Sequence, residues 1–219
     1  MILKLFLVIA YGTLPAIWLA ITHKFIYQEK NKYGVHIQYI SKYLISFSFL
    51  PVLLLHDVEF GLVPTSFRSV IFIILTSFLA IAGVKRAMKG MNLFFYNAGI
   101  IASFMEEIIY RGVIFGLSMS IWNNQWTALV VSSFLFGVWH LKNIPWCGVK
   151  NSINQFFQTA LFFGPIFGLM RIFTGDIYLS VLFHFIVNST CALAPNCMRG
   201  WLVKGGRGKP YDDVYAGIK

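Results

Sequence analysis

The sequence predicts an all-α protein: a polytopic transmembrane helix bundle of about seven spans. Two observations carry this. The chain is 58% hydrophobic and only 12% charged, about half the charged fraction of an ordinary soluble domain. Its apolar residues also fall into recurrent runs of roughly 20 residues, the length that crosses a bilayer as a helix. Removing these runs leaves no soluble domain of useful size.

The expected spans are residues 2–22, 39–55, 67–84, 94–117, 126–141, 153–172 and 177–195. The first could pass for a signal peptide. It carries one early basic residue, Lys4, and lacks a small-x-small cleavage site, so it reads as a retained span. The second and fifth are short and fit a little-tilted or interior position. Residues 1–200 read as one transmembrane domain, and 201–219, polar and rich in Gly, as a cytoplasmic tail.

The distribution of the 18 Lys and Arg residues orients the bundle. Lys24, Lys30, Lys32, Lys42, Lys85, Arg86, Lys89, Lys142 and Lys150 fall in loops on one side, and the basic tail joins them. By the positive-inside rule the N-terminus faces out and the C-terminus lies in the cytoplasm. The net charge of +10 therefore reflects topology. No basic stripe forms a nucleic-acid footprint, and no nucleic acid is expected as a partner. Cys147, Cys191 and Cys197 form no paired framework and no metal-type spacing, so they read as apolar fillers.

Against this apolar background the intramembrane polar groups stand out, because each is costly unless paired or hydrated. The stretch SFMEEIIYRG holds Glu106, Glu107 and Arg111; FLFGVWHLK holds Phe136 and His140; LFHFIVNS holds His184 and Asn188. Helical spacing sorts them. Glu107 and Arg111 are i, i+4 and can pair on one face. Glu106 lies about 100° round the helix and is the carboxylate left for chemistry. His184 and Asn188, also i, i+4, aim at one point. Phe136 buttresses His140. Helix directions place all three groups in one cavity in the cytoplasmic half.

Such a set supports amide hydrolysis by an activated water. A carboxylate takes the proton of the water, a neutral His orients it, and a His–Asn pair donates to the developing oxyanion. No Ser or Cys has a matching base. Other polar residues have simpler readings. Trp122, Trp126, Trp139 and Trp146 fit an interface belt, Asp57 and Glu59 a solvated loop, and Asn151, Asn154 and Gln155 a solvated helix start. Asp176 fits a cap on the last span. Two GxxxG pairs, Gly112/Gly116 and Gly164/Gly168, fit close helix contact.

The ordered set EExxxR, FxxxH and HxxxN, one motif per span, resembles the CPBP family, the CAAX protease and bacteriocin-processing group, also called Abi. The resemblance covers residues 100–190 and implies an intramembrane glutamate-type protease. By position it implies Glu106 as base, His140 as partner in water activation, and His184 and Asn188 as the oxyanion site. Glu107, Arg111 and Phe136 are then supporting. It implies no cofactor and a membrane-associated peptide or protein as substrate, met in the lipid bilayer.

The abundance of Phe, Ile, Lys and Asn fits an AT-rich bacterial genome and a bacterial cell membrane. It favours bacteriocin or peptide processing, or self-immunity, over prenylated CAAX proteins. The alternatives are a CAAX prenyl-protein endopeptidase, a zinc protease with Glu106, His140 and His184 as ligands, and a non-enzymatic immunity or transport protein.

Overall fold

The computed structural model describes residues 1–27, 40–41, 44–45, 47–87 and 102–193. Among these residues the chain is all helix, with six main helices and no strand. Helix α1 spans Ile2–Tyr27 and α2 Phe67–Ala87. Helix α3 runs through Ser103–Glu107, a π-helical segment at Ile108–Ile114, and Phe115–Trp122. Helix α4 spans Gln125–His140. Helix α5 comprises Ile144–Gln158, a second π segment at Thr159–Phe163, and Gly164–Thr174. Helix α6 spans Tyr178–Leu193.

Local chemistry sets the boundaries. Asn124 caps α4 by accepting from the backbone N–H groups of Trp126 and Thr127 at 2.9 and 3.0 Å. Gly148, at φ 81° and ψ 166°, breaks α5 near its start, a conformation that an L side chain rarely adopts. Pro165 follows the second π segment; without an N–H it leaves the ladder before it one donor short, which favours the wide turn there.

Helix α3 is central. Every residue from Met105 to Ser118 is buried, and a helix buried all round must be apolar all round or pair its charges. It is packed by α1, α4, α5 and α6, while α2 lies against α6. Tyr110, Val113, Ile114 and Leu117 of α3 meet Phe136 and Trp139 of α4 and Phe167 of α5 in the main core. The outward faces are apolar too: Phe6 and Ile17 on α1, Ile74 and Phe78 on α2, Phe134 on α4, and Phe162 and Phe173 on α5 are all exposed. Such a belt suits lipid contact.

The described residues do not confirm the expected count of seven spans. Only Ile2–Thr22 and Gly148–Thr174 are long and apolar enough to cross a membrane by themselves. Helix α4 has 16 residues, about 24 Å at 1.5 Å per residue and short of the hydrocarbon core. The described part of the fourth expected span, 94–117, is helical from Ser103 on and carries the charges of the site. Of the second expected span, 39–55, the described residues 40–41, 44–45 and 47 are helical and Leu50–Leu54 form a 3₁₀ helix. Residues 94–101 and the expected tail at 201–219 lie outside the described residues, as do Cys197 and the side chains of Cys147, Cys191 and Trp146.

One end of the bundle is closed by residues 55–66. Asp176 accepts from the Thr65 N–H at 3.0 Å, the Thr65 hydroxyl at 2.8 Å, the Ser69 hydroxyl and the Tyr178 N–H. It caps α6 as expected, and it also ties the loop before α2 to the turn before α6. Tyr178 donates its hydroxyl to the Leu62 carbonyl, and Ile177 N–H to Gly61 O at 3.1 Å. Asp57 is not merely solvated: Lys4 on α1 bonds it and Ser120, and that bond holds the Asp57 carboxyl below the usual carboxylate range.

The two GxxxG pairs serve different partners. Gly164 and Gly168 face Ser133 and Leu129 of α4, the helix contact the spacing predicts. Gly112 and Gly116 instead admit the backbone of the closing loop. A Cβ on Gly116 would sit 2.7 Å from the Glu59 carbonyl oxygen. Gly116→Ala should therefore cost about 1–3 kcal/mol through overpacking against backbone. Gly168→Ala, whose Cβ would meet a Leu129 side chain at 3.3 Å, should be near neutral, since Ala is the better helix former by about 1 kcal/mol. Thermal unfolding of both variants in detergent checks the order.

Candidate active site

At the opposite end of the bundle, the start of α3 meets the end of α4 and the middle of α6. Glu106 and Glu107 are the last residues before the π segment of α3, and Arg111 lies inside it. π segments widen a turn and recur at functional sites.

Glu107 and Arg111 are both fully buried. Arg111 Nε lies 3.3 Å from Glu107 Oε2, a charge contact rather than an aligned hydrogen bond. The guanidinium also donates from Nη2 to the Gly164 carbonyl on α5 at 3.2 Å. Its centre sits 4.3 Å from the Phe136 ring and 5.2 Å from the Phe167 ring, distances at which an aromatic face attracts a cation. Arg111 thus joins α3, α4 and α5.

Glu107 has a second partner that the spacing did not reveal. His184 Nδ1 lies 2.7 Å from Glu107 Oε1. An ionised carboxylate only accepts, so Nδ1 carries the hydrogen. His184 Nε2 is then the nitrogen that faces Glu106, 3.6 Å from Oε2. The imidazole is stacked on Phe167 at 4.9 Å and meets Phe136 edge-on at 5.7 Å. A carboxylate and two rings therefore fix its orientation.

His140 is treated in the same way. Its Nδ1 lies 3.0 Å from the Phe136 carbonyl oxygen, which can only accept, so Nδ1 is again the donor and Nε2 holds the lone pair of the neutral ring. The Phe136 side chain packs edge-on against the imidazole at 5.2 Å. Phe136 is thus the buttress the spacing predicts, and it serves His184 and Arg111 as well. His140 is within electrostatic reach of both Glu106 and His184.

Glu106 is not left free. Its Oε1 accepts from the Trp139 indole Nε1 at 2.7 Å and lies 3.9 Å from Lys142 Nζ. Trp139 is 1% exposed and so is no interface residue. Spacing could have found it: Phe136, Trp139 and His140 are i, i+3, i+4 and share one face of α4. Trp122 and Trp126 are exposed, as a belt requires. Gln155 accepts from Asn143 at 2.7 Å instead of only meeting solvent.

His184 is on the two carboxylates, and Asn188 donates from Nδ2 to the Ser103 hydroxyl at 3.0 Å, one turn before Glu107 on α3.

As for a metal, among the described residues no three His, Cys, Asp or Glu side chains are grouped to hold one.

The comparison with known families agrees with the motif order. Residues 89–190 match the family model described as type II CAAX prenyl endopeptidase Rce1-like, a branch of the CPBP group. This segment is therefore similar to the CPBP group. No curated protein and no solved structure gave a match. The matched segment takes in α3, α4, α5 and most of α6, and with them Glu106, Glu107, Arg111, Phe136, His140, His184 and Asn188. CPBP proteins of this branch are proteases that meet their substrates at the membrane, which accords with the apolar belt around the bundle.

Proposed function

We propose that this protein is a CAAX-type intramembrane endopeptidase in which Glu106 is the general base. The observation that carries this is the position of Glu106. One of its oxygens is held by Trp139, and the other faces a His184 ring that Glu107 has already oriented.

The chemistry follows from those atoms. The 3.6 Å between Glu106 Oε2 and His184 Nε2 is longer than a direct hydrogen bond and suits a shared water. That water gives a proton to Glu106 as its oxygen attacks the scissile carbonyl carbon. His140 accepts from the same water through its Nε2 lone pair and fixes the direction of attack. The carbonyl π electrons move onto oxygen, and His184, when protonated at Nε2, donates to that oxyanion together with the Asn188 amide. Collapse of the intermediate breaks the C–N bond, and the proton on Glu106 passes to the departing amine. One water is consumed, giving a new carboxylate and a new amino terminus. No metal enters the scheme.

The matching family model favours a C-terminal CAAX-type substrate over bacteriocin processing. The protein, reconstituted in liposomes, is offered a peptide with a farnesylated C-terminal CAAX sequence and the same peptide without the lipid. Mass spectrometry should show loss of the residues after the lipidated Cys, abolished in His140→Ala. Equal cleavage of both peptides would replace the CAAX assignment with a broader peptide substrate. Identical traces for wild type and His140→Ala would sink the protease reading.

A further inference from the structure

We infer that Trp139 and Lys142 act together as positioning residues that commit one oxygen of Glu106 and so present the other to the water. This rests on the reading of Glu106 as the base. The sequence motifs assign neither residue a part in the chemistry.

Both residues converge on one atom. Trp139 Nε1 donates to Glu106 Oε1 at 2.7 Å, and Lys142 Nζ lies 3.9 Å from the same oxygen. The two are also in contact with each other: Lys142 Nζ sits 3.3 Å from the centre of the Trp139 ring. A cation over an indole face is attracted by the ring quadrupole. The ammonium therefore braces the indole from one side while the indole N–H grips the carboxylate at its edge. Neither group can accept a hydrogen bond, so neither can compete with Glu106 for the proton of the water.

The need for such a device lies in the carboxylate itself. Its terminal torsion is broad and roughly two-fold, so an unanchored Glu106 would exchange Oε1 and Oε2 freely. Anchoring Oε1 leaves Oε2 as the oxygen beside His184 Nε2, at 3.6 Å. Chain geometry makes the arrangement compact. Trp139 ends α4 beside His140, and the short 3₁₀ turn Leu141–Asn143 folds Lys142 back over the ring. The Lys142 side chain is 15% exposed, so its charge keeps some access to water at the end of the bundle.

The test is steady-state cleavage by Lys142→Met, Lys142→Arg and Trp139→Phe in liposomes, with Glu106→Gln as reference. Lys142→Met keeps the stem and loses the charge. It should lower kcat about tenfold, the scale of a slightly misplaced catalytic group, with KM changed less than twofold. Lys142→Arg should restore most of the rate. Trp139→Phe should lower kcat by about 10–100-fold. In a Glu106→Gln background, Lys142→Met should cause no further loss, because residues that act as a unit are non-additive.

A Lys142→Met variant with wild-type kcat, or with the whole loss in KM, overturns the inference; the second result would make Lys142 a substrate anchor. If Trp139→Phe does not fold, the Lys142 pair decides alone. An active Glu106→Gln enzyme overturns the base assignment along with the inference. An inactive Glu106→Gln beside an unaffected Lys142→Met overturns the positioning role only.

Discussion

Glu106→Gln is expected to reduce peptide cleavage by about 10²–10⁴-fold, the range that a positioned general base contributes. The substitution isolates the chemistry. Gln keeps the shape of the side chain and still offers an oxygen to the Trp139 indole, which now bonds Glu106 Oε1 at 2.7 Å. What disappears is the capacity to take a proton from water. The melting temperature in detergent should therefore stay within a few degrees of wild type while turnover collapses. Equal turnover would show that another group activates the water.

The second large effect is on stability. Arg111→Met leaves Glu107, fully buried, with His184 as its remaining partner. Removing one member of a buried ion pair typically costs about 3–5 kcal/mol, because the surviving charge is stranded. Here the loss is compounded: Arg111 also bonds the Gly164 carbonyl and lies over Phe136 and Phe167. The double variant Glu107→Gln/Arg111→Met removes the stranded charge and should regain part of the stability. It should not regain activity, since the carboxylate that orients His184 is also gone. A double-mutant cycle of unfolding free energies, read beside cleavage rates, separates the two roles. Full recovery of cleavage in the double variant would show that Glu107 serves only as the counter-ion of Arg111.

How much of this was legible in the sequence depends on the range of the interaction. Glu107 with Arg111, and Phe136 with His140, lie one helical turn apart. Spacing alone placed each pair on one face, and the structure brings each into contact. The boundaries of α4 and the start of α6 followed closely from their apolar runs. Contacts between helices were harder. The shared hold on Glu107 links positions 77 residues apart, and nothing in local periodicity records which carboxylate a histidine will find. The same limit hid the partner of Asn188, Ser103, which is 85 residues away.

The described residues do not confirm the count of seven spans, because hydropathy measures composition, not burial. The central α3, with its internal charges, and the short α4 are sheltered by neighbouring helices. Trp139 was misplaced by the same habit. A tryptophan near a helix end suits the bilayer interface, but this one points inward to a carboxylate.

The Asp176 junction bears on how the protein is made. Its carboxylate is met by the Thr65 backbone and hydroxyl, 111 residues earlier, and by Ser69. A chain synthesised from its N-terminus inserts α1 and α2 long before Asp176 leaves the ribosome. At translation rates of about 5–20 residues per second, the hydroxyls at 65 and 69 wait roughly 5–20 s for their acceptor. During that interval α2 lacks this latch to the turn before α6. Closure of this end of the bundle is therefore a late step in biogenesis, completed only when the turn before α6 emerges.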